Sequence, residues 1–368
     1  MRSGEHGTGR RRPRPTRTFV SLTGPAGNLG DALIRRGTLD WARGTSDELV
    51  AYVGGAPDVW LRQLGVPTGT RVLRSKRSVA RWLWMLATAP GRPVLVFEAG
   101  EVPLDRGNGV RELVFLAETL LVRLKRGVVV RPPRAVRAPT QPSLWLHSTA
   151  ARASQFALWR DDTSRATTGG SQLAPDIGFA AGQRAGLPDG ERDELIVSLR
   201  GKRPLPAVEW ADALTDFAAA NGLRIRTVVQ VREDEERARE LAQMLGGEFD
   251  PWGERDAVAQ EALVRERYDH ARLVISDRLH VLILAALSGA VPAEVVADPT
   301  RKITDSFATI GLAGVSADAA SLSPDEITAF LTKQLTRADE VRAAVATAYA
   351  RLAETEADIR TAIEAARA

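Results

Sequence analysis

The chain has 368 residues, 44% hydrophobic and 26% charged, enough to bury a sizeable core and to form two domains. It has no cysteine, which excludes disulfides, thiol nucleophiles and cysteine-ligated metals. A net charge of +4 is small for this length, and no stretch reaches the roughly 20 uninterrupted apolar residues of a bilayer span. The first 17 residues, with Arg10, Arg11, Arg12, Arg14 and Arg17, read as a disordered basic arm, because no signal-peptide core follows them. Thr18 to Leu22 is the first predicted strand. It runs through GPAGNLGD, Gly24 to Asp31, into a helix carrying Ala32, Leu33 and Ile34. Further strands are expected at Leu49 to Val53, Val94 to Phe97, Val128 to Val130 and Leu144 to His147, with Trp82, Trp84, Leu113, Phe115 and Leu120 on intervening helices. The polar stretch Asp161 to Gly170 and the loop Gly186 to Arg192 are the weakest points, so the domain boundary is expected near residues 185–192.

A second series then begins. Leu195 to Leu199 reads as a strand, Ala207 to Asn221 as a helix closed by Gly222, Leu223 to Val231 as a strand and Arg237 to Leu245 as a helix. Leu273 to Ile275 is a short buried strand, and Val281 to Leu287 is apolar on nearly every side, as a buried helix would be. Residues 338–368, with alternating charge, form a long C-terminal helix. Alternating strands and helices in two runs predict two parallel α/β halves. The expected division is an arm at 1–17, domains at 18–188 and 189–335, and a helix at 336–368.

Two turns carry chemistry. Arg278 and His280 fall between a strand and a helix, at the carboxyl edge of a sheet, where free helix N–H groups attract anions. Bracing the helix start is their bland alternative role. The first glycine loop has spacing G-x-x-G-x-x-G, which matches neither a dinucleotide fingerprint nor a P-loop. It offers Asn28 and Asp31 at a helix entry, with Gly30 permitting close ligand approach, and either polar residue could instead be the cap. His147 is expected as a satisfied polar residue at a strand end, and His270 beside Asp269 as a surface or capping pair. No histidine pair or acidic cluster has metal-ligand spacing, so no metal is expected.

GNLGDALI at Gly27 to Ile34, followed far downstream by ISDRLHVLILAALSGAVP at Ile275 to Pro292, resembles the polysaccharide pyruvyl transferase family. APDIGF at Ala174 to Phe179, IVSLR ending in Arg200, VVQVREDEERA with Gln230 and Asp234, and Lys302-Ile303 occur in the same order, so the resemblance spans about residues 18–310. It implies a GT-B-like fold, with two Rossmann-like α/β domains facing each other across a cleft. The implied activity moves the pyruvyl group of phosphoenolpyruvate onto two sugar hydroxyls as a cyclic ketal, with phosphoenolpyruvate as donor substrate and no cofactor. Motif by motif it places Arg200, Arg278, Leu279 through its backbone, and His280 at the donor, with His280 as general acid; Lys302 either adds charge to the donor pocket or is solvated, and a structural ion pair is the alternative for Arg200. Arginine suits a phosphate and a carboxylate through bidentate bonding, and histidine exchanges protons near neutrality. Asp31 is the expected base or acceptor-orienting group. Glu98 and Glu101 stand where many members have a glycine cluster, and mark the expected acceptor end.

Two other readings stay open. One is a GT-B glycosyltransferase using a nucleotide sugar, since fold and cleft would be shared. The other is a non-catalytic glycan- or nucleic-acid-binding protein acting through its arm, although no nucleic-acid partner is expected. The expected setting is cytoplasmic, acting on a glycan or lipid-linked saccharide, with the arm as a weak tether to the inner membrane face.

Overall fold

The computed structural model describes residues 16–182 and 192–367. The first half alternates β1 (Arg17–Ser21), α1 (Leu29–Ala42), β2 (Glu48–Gly54), α2 (Asp58–Leu64), β3 (Arg71–Arg74), α3 (Ser78–Ala87) and β4 (Val94–Val96). It continues through β5 (Gly100–Pro103), α4 (Gly109–Leu124), β6 (Val128–Arg137), α5 (Ser143–Ala153), β7 (Phe156–Trp159), α6 (Asp162–Thr168) and β8 (Gln172–Leu173). These eight strands make a parallel sheet in the order β3-β2-β1-β4-β6-β7-β8, with β5 added beside β6.

The second half holds β9 (Glu194–Ser198), α7 (Val208–Ala220), β10 (Arg224–Val228), α8 (Glu235–Met244), β11 (Glu248–Asp250), α9 (Ala257–His270) and β12 (Ala271–Ser276). After them come α10 (Leu279–Leu287), β13 (Val291–Val296), α11 (Arg301–Ala308), β14 (Ser316–Asp318), α12 (Pro324–Leu335) and α13 (Ala338–Arg367). Its parallel sheet has the order β11-β10-β9-β12-β13-β14. In both sheets the winding direction reverses beside the first strand, between β1 and β4 and between β9 and β12. Loops at such a reversal diverge and leave a crevice at the carboxyl ends.

β9 is buried at every position, as a strand covered by helices on both faces must be. The helix α10 is apolar all round and every residue except His280 is buried, so it sits between layers rather than on a surface. Each of Leu282, Ile283 and Leu284 contributes about 1.5–3 kcal/mol by that burial. α13 buries Val341, Val345, Ala348, Leu352, Ile359 and Ile363, a seam spaced by helical turns. It crosses between halves: Arg351 donates to the Thr309 carbonyl at 2.8 Å, and Arg360 donates to the Arg43 carbonyl at 3.2 Å.

Several sequence expectations need correction. Leu144 to His147 is not a strand but the first turns of α5, where Leu146 and Ala150 pack on Leu116 of α4. Four alternating residues fit either period, and the packing partner decides. Asp161 to Gly170 is not a weak linker, because Asp161 caps α6 through the Ser164 N–H and Gly169 closes it. Arg17 belongs to β1 rather than the arm. The rest of the arm from 1 to 15, and the boundary segment 183–191, lie outside the described residues.

Candidate functional site

The two motif turns meet. β1 leads into the glycine loop, where Gly27 has φ of 90°, a conformation that favours glycine. Asn28 caps α1, its side-chain oxygen accepting from the Gly30 and Asp31 N–H groups at 3.0 and 3.2 Å. This settles the choice between the two polar residues. With Asn28 occupied as the cap, Asp31 stands in the first turn of α1 with its carboxylate unpartnered among the described residues. The loop is pinned to the other half by two backbone hydrogen bonds: the Leu29 N–H donates to the Gln230 carbonyl, and the Arg232 N–H donates to the Gly27 carbonyl, each at 3.1 Å. A Cβ on Gly30 would lie 2.5 Å from the His280 Cβ. Only a residue without a side chain permits that approach of α1 to α10.

Between them lies a polar cavity of about 160 Å³ lined by Asn28, Gly30, Asp31, Arg200, Arg278, Leu279, His280, Lys302 and Glu101, with Arg35 and Gln230 also in its wall. Arg200 follows β9 and Arg278 follows β12, so both stand at the winding reversal of the second sheet. Each is held by a carboxylate behind it. Arg278 pairs with Asp234 at 2.6 Å, and Arg200 lies 3.7 Å from Asp277, which also accepts the Arg200 N–H at 3.0 Å. Burial pushes the Asp277 carboxyl up, against the opposing pull of Arg200 and Arg203. Arg35 is committed elsewhere, donating to the carbonyls of Thr23 and Ala99 at 2.6 and 2.7 Å.

His280 is backed by Asp176, with Nε2 3.5 Å from Oδ2. Asp176 is completely enclosed and also pairs with Arg160 at 2.7 Å. Burial alone would raise its carboxyl, but the His280 imidazole and the Arg160 guanidinium outweigh it and hold the group well below the usual carboxylate range. Asp176 therefore orients His280 and stays charged. Asp176, Arg160 and Asp277 were not singled out from the sequence, and Asp234 was named there without a role. Three of them lie inside recognised motifs, APDIGF, VREDEERA and ISDRLH, and so could have been found. Arg160, at the end of β7, carries no such signal.

The two glutamates part company. Glu101 lines the polar cavity but is taken up by Lys302 at 2.9 Å, Arg137 at 3.1 Å and Arg160 at 3.8 Å. Burial raises its carboxyl, and Lys302 with the two arginines more than reverses that, leaving it lowered. Lys302 is thus fixed at the cavity wall rather than solvated. Glu98 does not reach this cavity. Its carboxylate accepts from Ser21 and its carbonyl from Arg134, and it lines a separate, largely apolar cavity under α3 and α4. His147 does not approach the site either; it is buried in α5 against Glu112. Among the described residues no group of three or more His, Asp or Glu side chains is placed to hold a metal ion.

No family model matches the chain, and no curated protein matches it. Solved structures do match in fold. UDP-GlcNAc 2-epimerase from Neisseria meningitidis bound to UDP-GlcNAc is 9% identical with a TM-score of 0.56, covering 93% of this chain and all (100%) of that one. Anabaena HepE in complex with UDP and glucose is 13% identical with a TM-score of 0.52, over 96% of this chain and 99% of that one. S. aureus MnaA with UDP is 10% identical with a TM-score of 0.50, over 90% and 91% of the two chains.

Proposed function

We propose that this chain, with the GT-B architecture of two Rossmann-like halves whose carboxyl edges face each other, is an enzyme of glycan modification that transfers the pyruvyl group of phosphoenolpyruvate to a pair of sugar hydroxyls. The observation that carries this reading is the meeting of the two turns: Asp31 from GNLGD and Arg278, Leu279 and His280 from ISDRLH line one small cation-rich cavity. At about 160 Å³ it falls below the roughly 300–1,000 Å³ of pockets for drug-sized ligands, and a three-carbon phosphorylated acid suits it. Arg200, Arg278 and Lys302 supply positive charge for the phosphate and the carboxylate.

In this mechanism His280 donates a proton to the methylene carbon of phosphoenolpyruvate, making the methyl group. One sugar hydroxyl attacks the adjoining carbon as Asp31 takes its proton. The carbon–oxygen bond to phosphate breaks, phosphate leaves with the electron pair, and the second hydroxyl closes the ketal. The second hydroxyl's proton leaves with the phosphate and the proton held by Asp31 returns to His280, so one proton ends on carbon, one on phosphate, and the sum is ketal plus hydrogen phosphate. Asp176, charged behind His280, stabilises the imidazolium before it donates.

A second reading has its own support. The fold neighbours named above carry UDP or UDP-GlcNAc, and an apolar pocket of about 320 Å³ lined by Leu199, Pro204, Leu205, Pro206 and Val296 adjoins the polar cavity across Asp277. A nucleotide sugar would place its base there and its diphosphate on Arg200 and Arg278. The two readings separate in one assay. Phosphate release from phosphoenolpyruvate, with a pyruvyl mass increment on a glycan, is the expected result. Turnover of a UDP-sugar with UDP release, and no reaction of phosphoenolpyruvate with any glycan of the panel, overturns the first reading in favour of the second.

A further inference from the structure

The helices on one side of the first sheet present an outward surface that the polar cavity does not use. α3 and α4 cover the same sheet face, sharing a buried cluster that includes Trp82, Leu86, Phe97 and Val122, and α5 packs along the flank of α4. Helix rows turned away from a common sheet face point into solvent together. On α4 that row is Val110, Leu113, Ala117, Leu120 and Leu124, spaced by three and four residues, all exposed. Leu124 is 81% exposed and Val110 76%. α3 adds Trp84 at 65% and α5 adds Trp145 at 57%. A continuous apolar stripe with tryptophans at its edges is not ordinary surface.

Its charge is one-sided. Arg77 and Arg81 share the outward row of α3 with Trp84, Arg123 and Arg126 stand at the end of α4, and Arg152 follows Trp145 on α5, all exposed. None of the five has an ion-pair partner among the described residues. The three helices carry only two carboxylates, Glu112 and Glu118, and both are buried. The rim is therefore uniformly positive. The Arg-rich first 15 residues repel such a rim rather than complement it, and a second copy would set arginines against arginines.

We propose that the α3–α4–α5 face docks peripherally on an anionic lipid bilayer, with the α4 stripe and the two tryptophans entering the headgroup layer and the arginines holding lipid phosphates. No helix among the described residues is long and apolar enough to cross a membrane, so the contact is at the surface. The orientation has a consequence for substrate. A cavity of about 560 Å³ shares Val110 with the stripe and runs between α3 and α4 past Val79, Trp82 and Phe115 to Ser21, Thr23 and Glu98. Its inner end is separated from the polar cavity by Arg35, which bonds the Thr23 carbonyl. A lipid-borne acceptor is thereby presented from the docked side. The proposal is independent of which donor the polar cavity takes.

The test is cosedimentation of the purified chain with vesicles of phosphatidylglycerol and phosphatidylcholine in equal parts, against vesicles of phosphatidylcholine alone. Binding to the anionic vesicles only is expected. The combined variant Leu113→Gln, Leu120→Gln and Leu124→Gln, all at exposed positions, should weaken it about tenfold or more, and each of Arg77→Ala, Arg81→Ala and Arg123→Ala about fivefold. Circular dichroism checks that the variants keep their fold. Deletion of residues 1–15 should leave most of the binding in place. Unchanged binding by the leucine variant, or loss of binding on arm deletion alone, overturns the proposal. So does a dimer that the leucine variant converts to monomer while neither protein binds vesicles.

Discussion

His147 and His280 each lie against a carboxylate, yet the two regions put the pair to opposite uses. His147, in α5, is fully enclosed, with Nδ1 2.7 Å from Glu112 and its ring 5.7 Å from Trp159. Burial pushes its imidazole down to about 4, against the pull of Glu112, so it is neutral and locked. His280 retains 17% of its side-chain exposure, faces a cavity with free volume, and stands 3.5 Å from its carboxylate. The same two chemical groups make a structural brace when sealed and a candidate proton donor when one edge is left open. Solvent access and the neighbouring cations decide, not the residue types.

That contrast can be broken most directly by removing each ring. His280→Ala should lower kcat by about 10²–10⁴ in the phosphate-release assay, with the melting temperature nearly unchanged; normal turnover would remove its assigned role. His147→Ala should do the reverse, leaving Glu112 buried and short of a partner at a cost of roughly 3–5 kcal/mol in urea unfolding, with kcat retained in the surviving folded fraction. A variant as stable as the parent would show that Arg111, 3.0 Å from Glu112, suffices.

Acidification sharpens the comparison. His147 has its folded value below its ordinary one of about 6.5, so its contribution to stability is present above that pH and is lost as pH falls toward about 4. Over that window the parent should lose on the order of 3 kcal/mol relative to His147→Gln, whose amide does not titrate. Parallel urea midpoints for the two proteins across the window would contradict the sealed, neutral state. The smallest expected effect is at the contact between halves. Gly30→Ala forces α1 away from His280 and should cost about 1–3 kcal/mol while disturbing kcat. Unaltered stability and kcat would mean that the two helices separate freely.

Much of this was legible in the chain. The alternation of strands and helices in two runs follows from periodicities that each segment carries by itself, and the observed β1, β9, β12, α10 and α13 fall where those periods place them. Asp31, Arg200, Arg278, Leu279, His280 and Lys302 were identified on motifs, and the cavity collects all six. Short alternating segments failed. Leu144 to His147 fits two periods, and only Leu116 of α4 selected the helix. The two glutamates part for a related reason: Glu98 and Glu101 are three residues apart, and the turn into β5 sends one beneath α4 and the other to Lys302 at the wall of the polar cavity.

The sequence by itself determined the elements, the two parallel halves and the residue types available for anion binding and proton transfer, because periodicity, capping and turn chemistry act over a few residues. Tertiary structure alone decided which groups meet. Asp176 reaches His280 across 104 positions of chain, Arg278 finds Asp234, and the apolar row of α4 stays in solvent. Those outcomes depend on burial and on distances between segments far apart in the chain, quantities that no local window contains.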